Sequence, residues 1–240
     1  MVETDGTYLY GVSGFEALCA YEIREAGPHL RRWRTYLNQR VADLRVRDGY
    51  LFCAGDHGLV VYRCSELGTG PPAVAAAVAG GSYLGVDARA DPTGELDGLV
   101  VALCEHAPRW GFNTLRVVFY QWADGELTLL GVYERAAQSD ERQHAVALDP
   151  LNRKAYVSGL LSLMGADKYI LELDIGAFDR PVLNHREETG KVLACDMEAY
   201  ANLMWTGVGA SGTELFRVYA LQEGANHLSL SRTIYGGFSL

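Results

Sequence analysis

One recurring pattern of short strands and glycine turns constrains the fold of this chain more than any other feature of its sequence. Its clearest example, Val41–Glu66, reads as three strands, Val41–Val46, Tyr50–Gly55 and Leu59–Cys64. The strands are rich in β-branched and aromatic residues, and the turns between them contain Asp-Gly and Gly-x-x-Gly, which is typical of an antiparallel meander. The stretch therefore predicts three strands that follow one another in a single sheet.

The same pattern recurs along the chain roughly every 40–60 residues, the period of propeller blades. Residues 3–23 align with residues 46–64 through an Asp-Gly turn and a Tyr-Leu pair, although the first unit lacks most of its first strand. No stretch shows a sustained helical period. We therefore predict an all-β fold, a single β-propeller domain of about five four-stranded blades. Its approximate units are 1–40, 41–80, 81–140, 141–189 and 190–240.

The two ends of the chain indicate how such a ring would close. The C-terminal residues 236–240 resemble residues 80–84, which open the third unit, and residues 1–6 resemble the end of such a strand. Pairing of the N- and C-terminal strands would remove the edge that an open stack of blades exposes. We expect this closure, and the alternative is a five-blade portion of a larger propeller.

Two units resemble the repeats of lactonase-like and LVIVD-type propellers, in which a strand ending in Tyr-Val-x-Gly leads through a Gly-Leu turn into an apolar strand. The matching residues are Tyr50–Gly55 with Gly58–Val61, and Ala155–Gly159. Tyr62 stands where the LVIVD strand usually ends in aspartate, and Asp174 takes that position in the fourth unit. The resemblance covers two of the five units and implies the fold rather than a chemistry.

Charge and composition bear on the partners and the compartment. The net charge is −9 and the pI is about 5.1, which argues against binding to nucleic acid or to an anionic membrane. The N-terminus lacks the basic and apolar segments of a signal peptide, and the most apolar window, Pro71–Val78, is too short to span a bilayer. Five cysteines without a C-x-x-C pair favour a reducing compartment. We expect a cytoplasmic protein.

The loops that join second to third strands should share one face of a propeller with the links between blades, and we look for a binding site there. The candidates on this face are Asp56, His57, Glu105, His106, Arg109, Trp110, Arg142 and His144. The Asp48-Gly49 turn should lie on the opposite face and is therefore not a candidate.

The loop 105–113 is the most distinctive of these, because it is long and carries Trp, Arg and Phe, which are enriched at binding hot spots. Packing of Trp110 as a lid on its own blade is the alternative. For the acid–histidine pairs Asp56-His57 and Glu105-His106, a solvated polar turn is favoured over a functional site. His144 begins an innermost strand, where a hydrogen bond to a neighbouring blade competes with a catalytic role.

The chain contains no G-x-S-x-G, H-E-x-x-H or P-loop motif. We therefore expect a non-enzymatic binding or scaffold module that recognises a protein or a small ligand. The alternative is a lactone- or sugar-acting hydrolase with a metal or an acid–base pair in the channel, and the sequence leaves enzyme activity open. No motif indicates a divalent cation, and the acidic loop Asp91–Gly98 departs from EF-hand spacing. A structural unit of a longer assembly is a third alternative.

Overall fold

The computed structural model describes most of the chain, and strands make up most of the part that it describes. The described residues are 2–13, 17–24, 30–36, 40–67, 73–105, 108–109, 112–137, 141–161, 168–190, 193–200, 203–209, 214–221 and 228–235. One short helix, α1 (Cys64–Leu67), follows the third strand of the second sheet. No helix in the described ranges is long and apolar enough to cross a membrane.

The strands form five sheets, which we call blades 1 to 5. Blade 1 contains β1 (Val2–Thr4), β2 (Tyr8–Ser13), β3 (Ala17–Glu22) and β4 (Leu30–Tyr36). Blade 2 contains β5 (Val41–Arg47), β6 (Tyr50–Gly55), β7 (Gly58–Arg63) and β8 (Val74–Ala79). Blade 3 contains β9 (Tyr83–Ala90), β10 (Leu99–Glu105), β11 (Pro108–Arg109), β12 (Phe112–Ala123) and β13 (Glu126–Ala136). Blade 4 contains β14 (Arg142–Asp149), β15 (Lys154–Leu160), β16 (Lys168–Asp174) and β17 (Val182–Gly190). Blade 5 contains β18 (Leu193–Tyr200), β19 (Leu203–Gly209), β20 (Glu214–Leu221) and β21 (Leu228–Tyr235).

Each blade is an antiparallel meander of four strands in chain order, with the two-residue strand β11 added beside β12 in blade 3. The sheets are arranged as a five-blade β-propeller, which confirms the predicted fold. Local sequence explains the hairpins. Both residues of Asp48-Gly49 and of Asp124-Gly125 have positive φ, between 48° and 84°. Type I′ turns require this conformation, and Asp-Gly adopts it readily.

The first blade begins with a strand of only three residues, as the sequence predicted. This strand, β1, pairs with β2 from Val2 opposite Gly11 to Thr4 opposite Leu9. The predicted closure through residues 236–240 falls outside the described residues.

Among the described residues, four apolar clusters join consecutive blades. The first contains Tyr10 of blade 1 with Leu51 of blade 2, and the second contains Phe52 of blade 2 with Trp122 of blade 3. The third joins blades 3 and 4, and the fourth joins blades 4 and 5 around Tyr156. Each strand alternates its side chains between the two faces of its sheet. In blade 3, one set therefore packs against blade 2 and the other against blade 4. This packing holds the innermost strands β1, β5, β9, β14 and β18 side by side around the axis.

The ring has two faces that differ in the chain connections they carry. Asp56 N donates to the carbonyl of Arg40 at 3.1 Å, and Gly80 N donates to the carbonyl of His57 at 3.3 Å. The β6–β7 turn therefore lies with the starts of β5 and β9, as predicted. We call this the upper face. The lower face carries the turns that follow the innermost strands, at 48–49, 91–98 and 150–153.

Candidate binding face and the charged network of the channel

Asp56 and His57 are exposed at the tip of the β6–β7 turn on the upper face. Asp56 is tied to the chain just before β5, because its Oδ1 accepts a hydrogen bond from the backbone N–H of Arg40 at 2.9 Å. The carboxylate thus fixes the turn against the link that enters blade 2. The geometry gives Asp56 a structural contact, while the His57 ring lies at the exposed surface.

Glu105 ends β10 and is buried. Its Oε2 accepts a hydrogen bond from Arg116 Nη1 at 3.0 Å, and Arg116 Nε lies 3.1 Å from Glu134 Oε2. The three side chains connect β10, β12 and β13 at the upper end of blade 3. Burial, together with the nearby Tyr120 and Glu105, raises the pKa of the Tyr83 hydroxyl. Because Arg116 belongs to the same blade, the Glu105 carboxylate is paired within blade 3.

The distinctive loop after Glu105 contains a short β-ribbon. Pro108 pairs with Asn113 and Arg109 with Phe112, so β11 and the first residues of β12 form a two-stranded ribbon in blade 3. Two candidates, His106 and Trp110, lie outside the described residues. The ribbon follows the end of β10 at the upper face, and the binding role of Arg109 stays a prediction.

Arg142 and His144 lie at the start of β14 and are half-buried. The strand is bulged here, because Gln143 pairs with Gly159 while Val146 pairs with Val157. A bulge re-aims side chains locally and is common near functional sites. Together with Asp56, His57 and Glu105, these residues occupy the upper face around the starts of β5, β9 and β14.

A partly buried ion pair that the sequence analysis did not single out lies directly before β14. Arg135 reaches Glu141 with both terminal nitrogens, one of them at 3.1 Å, and approaches the Tyr169 hydroxyl at 3.5 Å. The Arg186 guanidinium lies 4.4 Å from the centre of the Tyr169 ring. A Cβ on Gly159 would lie 2.4 Å from that ring, which explains the glycine at this position. Burial raises the pKa of Tyr169.

The channel contains a second network, centred on the buried Arg45 of β5. Arg45 Nη1 donates to Glu3 Oε1 of blade 1 at 2.6 Å, and its Nη2 donates to the carbonyl of Met197 in blade 5 at 3.3 Å. Its Nε lies 3.8 Å from Asp87 Oδ1 in blade 3. The Arg45 side chain is only 5% exposed. One guanidinium from blade 2 therefore contacts three other blades near the axis.

Two aspartates repeat a single geometry on neighbouring innermost strands. Asp43 Oδ1 accepts the N–H of Leu44 and its Oδ2 accepts the N–H of Val86 in the next blade, both at 2.9 Å. Asp87 Oδ1 and Oδ2 accept the N–H groups of Ala88 and Leu148 in the same way, also at 2.9 Å. Each aspartate thus fastens its blade to the backbone of the following one.

These aspartates belong to a short motif that the sequence analysis missed. The runs Asp43-Leu44-Arg45 and Asp87-Ala88-Arg89 share the pattern Asp-x-Arg on innermost strands. Charged residues at alternate positions of a strand lie on one face of it, and a charged face on an innermost strand is unexpected in an apolar core. That pattern was the available signal for a polar channel.

The network continues to the lower end of the channel. Arg47 Nη2 lies 3.2 Å from Glu198 Oε1 in blade 5, and Arg89 Nη2 contacts the same oxygen. Arg89 Nε also donates to Asp87 Oδ2 at 3.2 Å. Because arginine and acid alternate through these contacts, every charge named here has an opposite charge beside it.

The acidic loop after β9 is held by an arginine of the next blade. Arg153 Nη2 lies 2.7 Å from Glu95 Oε2 and 3.5 Å from Asp91 Oδ2, and it donates to Thr93 Oγ1 at 2.6 Å. Burial of the Asp91 carboxyl disfavours its charge, but hydrogen bonds from Thr93 and Leu96 and the nearby Arg153 outweigh burial and lower its pKa. The cation beside this loop in the structure is a guanidinium.

The described residues also include potential metal ligands and four buried thiols. Among the described residues, no three His, Cys, Asp or Glu side chains are grouped so that they could hold a metal ion. Cys19, Cys53, Cys64 and Cys104 are buried free thiols. Burial raises the pKa of Cys53 and Cys104, and it raises the pKa of Cys64 to about 12. A thiol with a raised pKa is a poor nucleophile at neutral pH.

Comparison with known proteins supports the architecture. No family model matches the chain, and no curated protein matches it. The crystal structure of Sqt1 from Saccharomyces cerevisiae is similar, with 11% identity and a TM-score of 0.62, and the match covers 96% of this chain and 59% of that chain. A protein from Lactobacillus plantarum matches with 14% identity and a TM-score of 0.62 over 98% of this chain and 70% of that one. At these identities the likeness shows the fold alone.

Proposed function

We propose that the chain is a non-enzymatic binding or scaffold propeller that recognises a protein at its upper face. The observation that carries this proposal is the charged network of the channel. Glu3, Arg45 and Asp87 occupy the region around the axis and are bonded to one another or to backbone amides. The Glu3 and Asp87 carboxylates therefore already bond to other groups of the chain, which supports a structural role for both.

The upper face supports the proposal through the β6–β7 turn, which is exposed and is anchored to the chain before β5. The β6–β7 turn is fastened to the link before β5 through Asp56, and the Glu105–Arg116 pair fixes the end from which the β11 ribbon projects. Rigid loops lose little conformational entropy on binding. We propose that partner contacts come from the predicted residues on this face, Asp56, His57, Glu105, His106, Arg109, Trp110, Arg142 and His144.

Two matched triple variants test the proposal. The upper-face variant carries His57→Ala, Arg109→Ala and Trp110→Ala. The control carries Leu151→Ala, Asp179→Ala and Arg180→Ala, three exposed residues of the lower face. Proteins captured by the immobilised wild-type chain are identified, purified and titrated against all three forms. We expect the upper-face variant to bind at least tenfold more weakly, which corresponds to a loss of about 1.4 kcal/mol or more, and the control to bind like the wild type.

Two results would overturn the proposal. Unchanged affinity of the upper-face variant would remove this face from the interaction. Turnover of a lactone or sugar-lactone panel that disappears in Glu105→Gln would favour the hydrolase instead, because Glu105 is a candidate acid–base residue of that alternative. Circular dichroism of each variant separates loss of binding from loss of fold.

A further inference from the structure

We propose that Glu198 is the centre of an ionic latch that joins blade 5 to blades 2 and 3 at the lower end of the channel, so that salt loosens blade 5 before the others. The latch consists of Glu198 of β18, Arg47 of β5 and Arg89 of β9. Arg47 Nη2 lies 3.2 Å from one carboxylate oxygen of Glu198 and 3.5 Å from the other, while Arg89 Nη2 contacts the first. This inference does not depend on the proposed binding function.

The latch contacts bridge parts of the ring that are not consecutive. Glu198 is 151 residues from Arg47, and blade 1 lies between blades 5 and 2 in the order of the ring. Consecutive blades are joined by apolar clusters, including the one between blades 4 and 5 that contains Tyr156 and Met204. The latch therefore joins β18 to β5 and β9 by charge, in addition to the apolar contact between β18 and blade 4.

The exposure of the three side chains makes the latch sensitive to salt. Glu198 is 41% exposed, Arg47 27% and Arg89 18%. Charges that water reaches are screened as ionic strength rises, since the Debye length falls from about 10 Å at 0.1 M to about 3 Å at 1 M. Arg45 is only 5% exposed, and its hydrogen bond to the Met197 carbonyl is less screened. Salt should thus weaken the Glu198 contacts first and leave those of Arg45 in place.

We expect salt to increase opening in blade 5 alone, because β5 and β9 have other contacts that do not involve Glu198. Arg89 keeps its hydrogen bond to Asp87, and β5 and β9 remain in the apolar clusters that join blades 1, 2 and 3. Parts of a domain open locally at lower free energy than the whole domain. Because the Arg45–Met197 hydrogen bond and the cluster with blade 4 remain, the latch predicts more frequent local opening within β18–β21 when its ion pairs are screened.

Hydrogen exchange measured by mass spectrometry at 0.05 M and 1 M NaCl tests this inference on the full chain. For the wild type we expect exchange in β18–β21 to rise about fivefold at high salt, as for loss of a partly exposed ion pair, with little change in β9–β13. The variant Glu198→Gln should show the faster exchange of blade 5 already at low salt and should lose most of the salt response.

The matched control is Glu134→Gln. Glu134 is 57% exposed and pairs with Arg116 at 3.1 Å, but both residues belong to blade 3. This variant should leave exchange of blade 5 and its salt response unchanged. The latch is refuted if Glu198→Gln exchanges like the wild type, or if salt accelerates all blades equally. The salt series on the wild type decides the question even if Glu198→Gln does not fold.

Discussion

Asp87 shows at the scale of single residues how a buried charge serves this fold. Its carboxylate accepts hydrogen bonds from the N–H groups of Ala88 and Leu148 and from Arg89, and the side chain is fully buried. Removing one member of a buried charged network leaves the remaining members unpaired, which usually costs more than the network contributes over an apolar replacement. Residues of this kind are therefore sensitive to truncation.

We expect Asp87→Ala to lower the free energy of unfolding by about 3–5 kcal/mol. The variant leaves the Leu148 N–H without its acceptor and Arg89 without one of its two acids. Urea denaturation followed by circular dichroism measures the change. The same substitution at the exposed Asp97 is the control and should alter stability by no more than about 0.5 kcal/mol. A loss below about 1 kcal/mol at Asp87 would contradict the structural role given to it.

At the scale of elements, the β9–β10 loop depends on the blade that follows it. The sequence shows three carboxylates in Asp91–Gly98, at a spacing that departs from that of an EF-hand calcium loop. In the structure this loop contacts the positive charge of Arg153, which is 60 residues from Thr93 in the chain. Arg153 lies in the β14–β15 turn and has a φ of 52°. The Arg153 guanidinium also lies 5.3 Å from the centre of the Phe178 ring. The loop and the β14–β15 turn therefore stabilise each other.

The lowered pKa of Asp91 predicts a dependence of stability on pH. A carboxyl whose pKa is lower in the folded state stabilises the protein above its unfolded pKa, about 3.9, and this contribution is lost as pH falls through the folded value. We expect Asp91→Asn to be less stable than the wild type at pH 7, and the difference to shrink below about pH 4. Urea titrations at several pH values measure it.

Glu95→Gln is the control for that series. Glu95 also contacts Arg153, but its side chain is 72% exposed, and exposed ion pairs contribute little. The variant should remain within about 0.5 kcal/mol of the wild type at every pH. A difference between wild type and Asp91→Asn that stays constant from pH 7 to pH 3 would contradict the assignment.

At the scale of the whole molecule, the reactivity of the buried cysteine thiols measures how tightly successive blades are packed together. Cys53 lies in the cluster between blades 1 and 2, and Cys104 in the cluster between blades 3 and 4. Both thiols are fully buried, and burial raises their pKa. Reaction with a thiol reagent therefore requires the blades to separate.

In a Cys195→Ser variant we expect no fast reaction with Ellman's reagent in the native protein at pH 8. The four remaining thiols, Cys19, Cys53, Cys64 and Cys104, should react together as urea unfolds the ring. Their labelling midpoint should coincide with the midpoint measured by circular dichroism, because their burial depends on the same packed blades. Reaction of one or more thiols without denaturant would show that a blade interface opens in the native state.

The sequence predicted the strands, the Asp-Gly hairpins and the number of blades, because these follow from period-two alternation and from local backbone preferences. It also predicted that the β6–β7 turn shares a face with the links between blades. The binding role of the upper-face residues stays a prediction, and His106 and Trp110 lie outside the described residues.

Only the tertiary structure decided which charged residues meet. Arg45 lies 42 residues from Glu3 and 152 from Met197, and no local pattern encodes partners so far apart. The sequence placed the Asp48-Gly49 turn on the face opposite the candidate site, and the structure puts the neighbouring Arg47 in contact with Glu198. Closing five sheets around one axis brings the innermost strands together, and this geometry turns alternating charges on separate blades into one network. Strand identity is local, whereas the pairing of charges across the channel exists only in the folded ring.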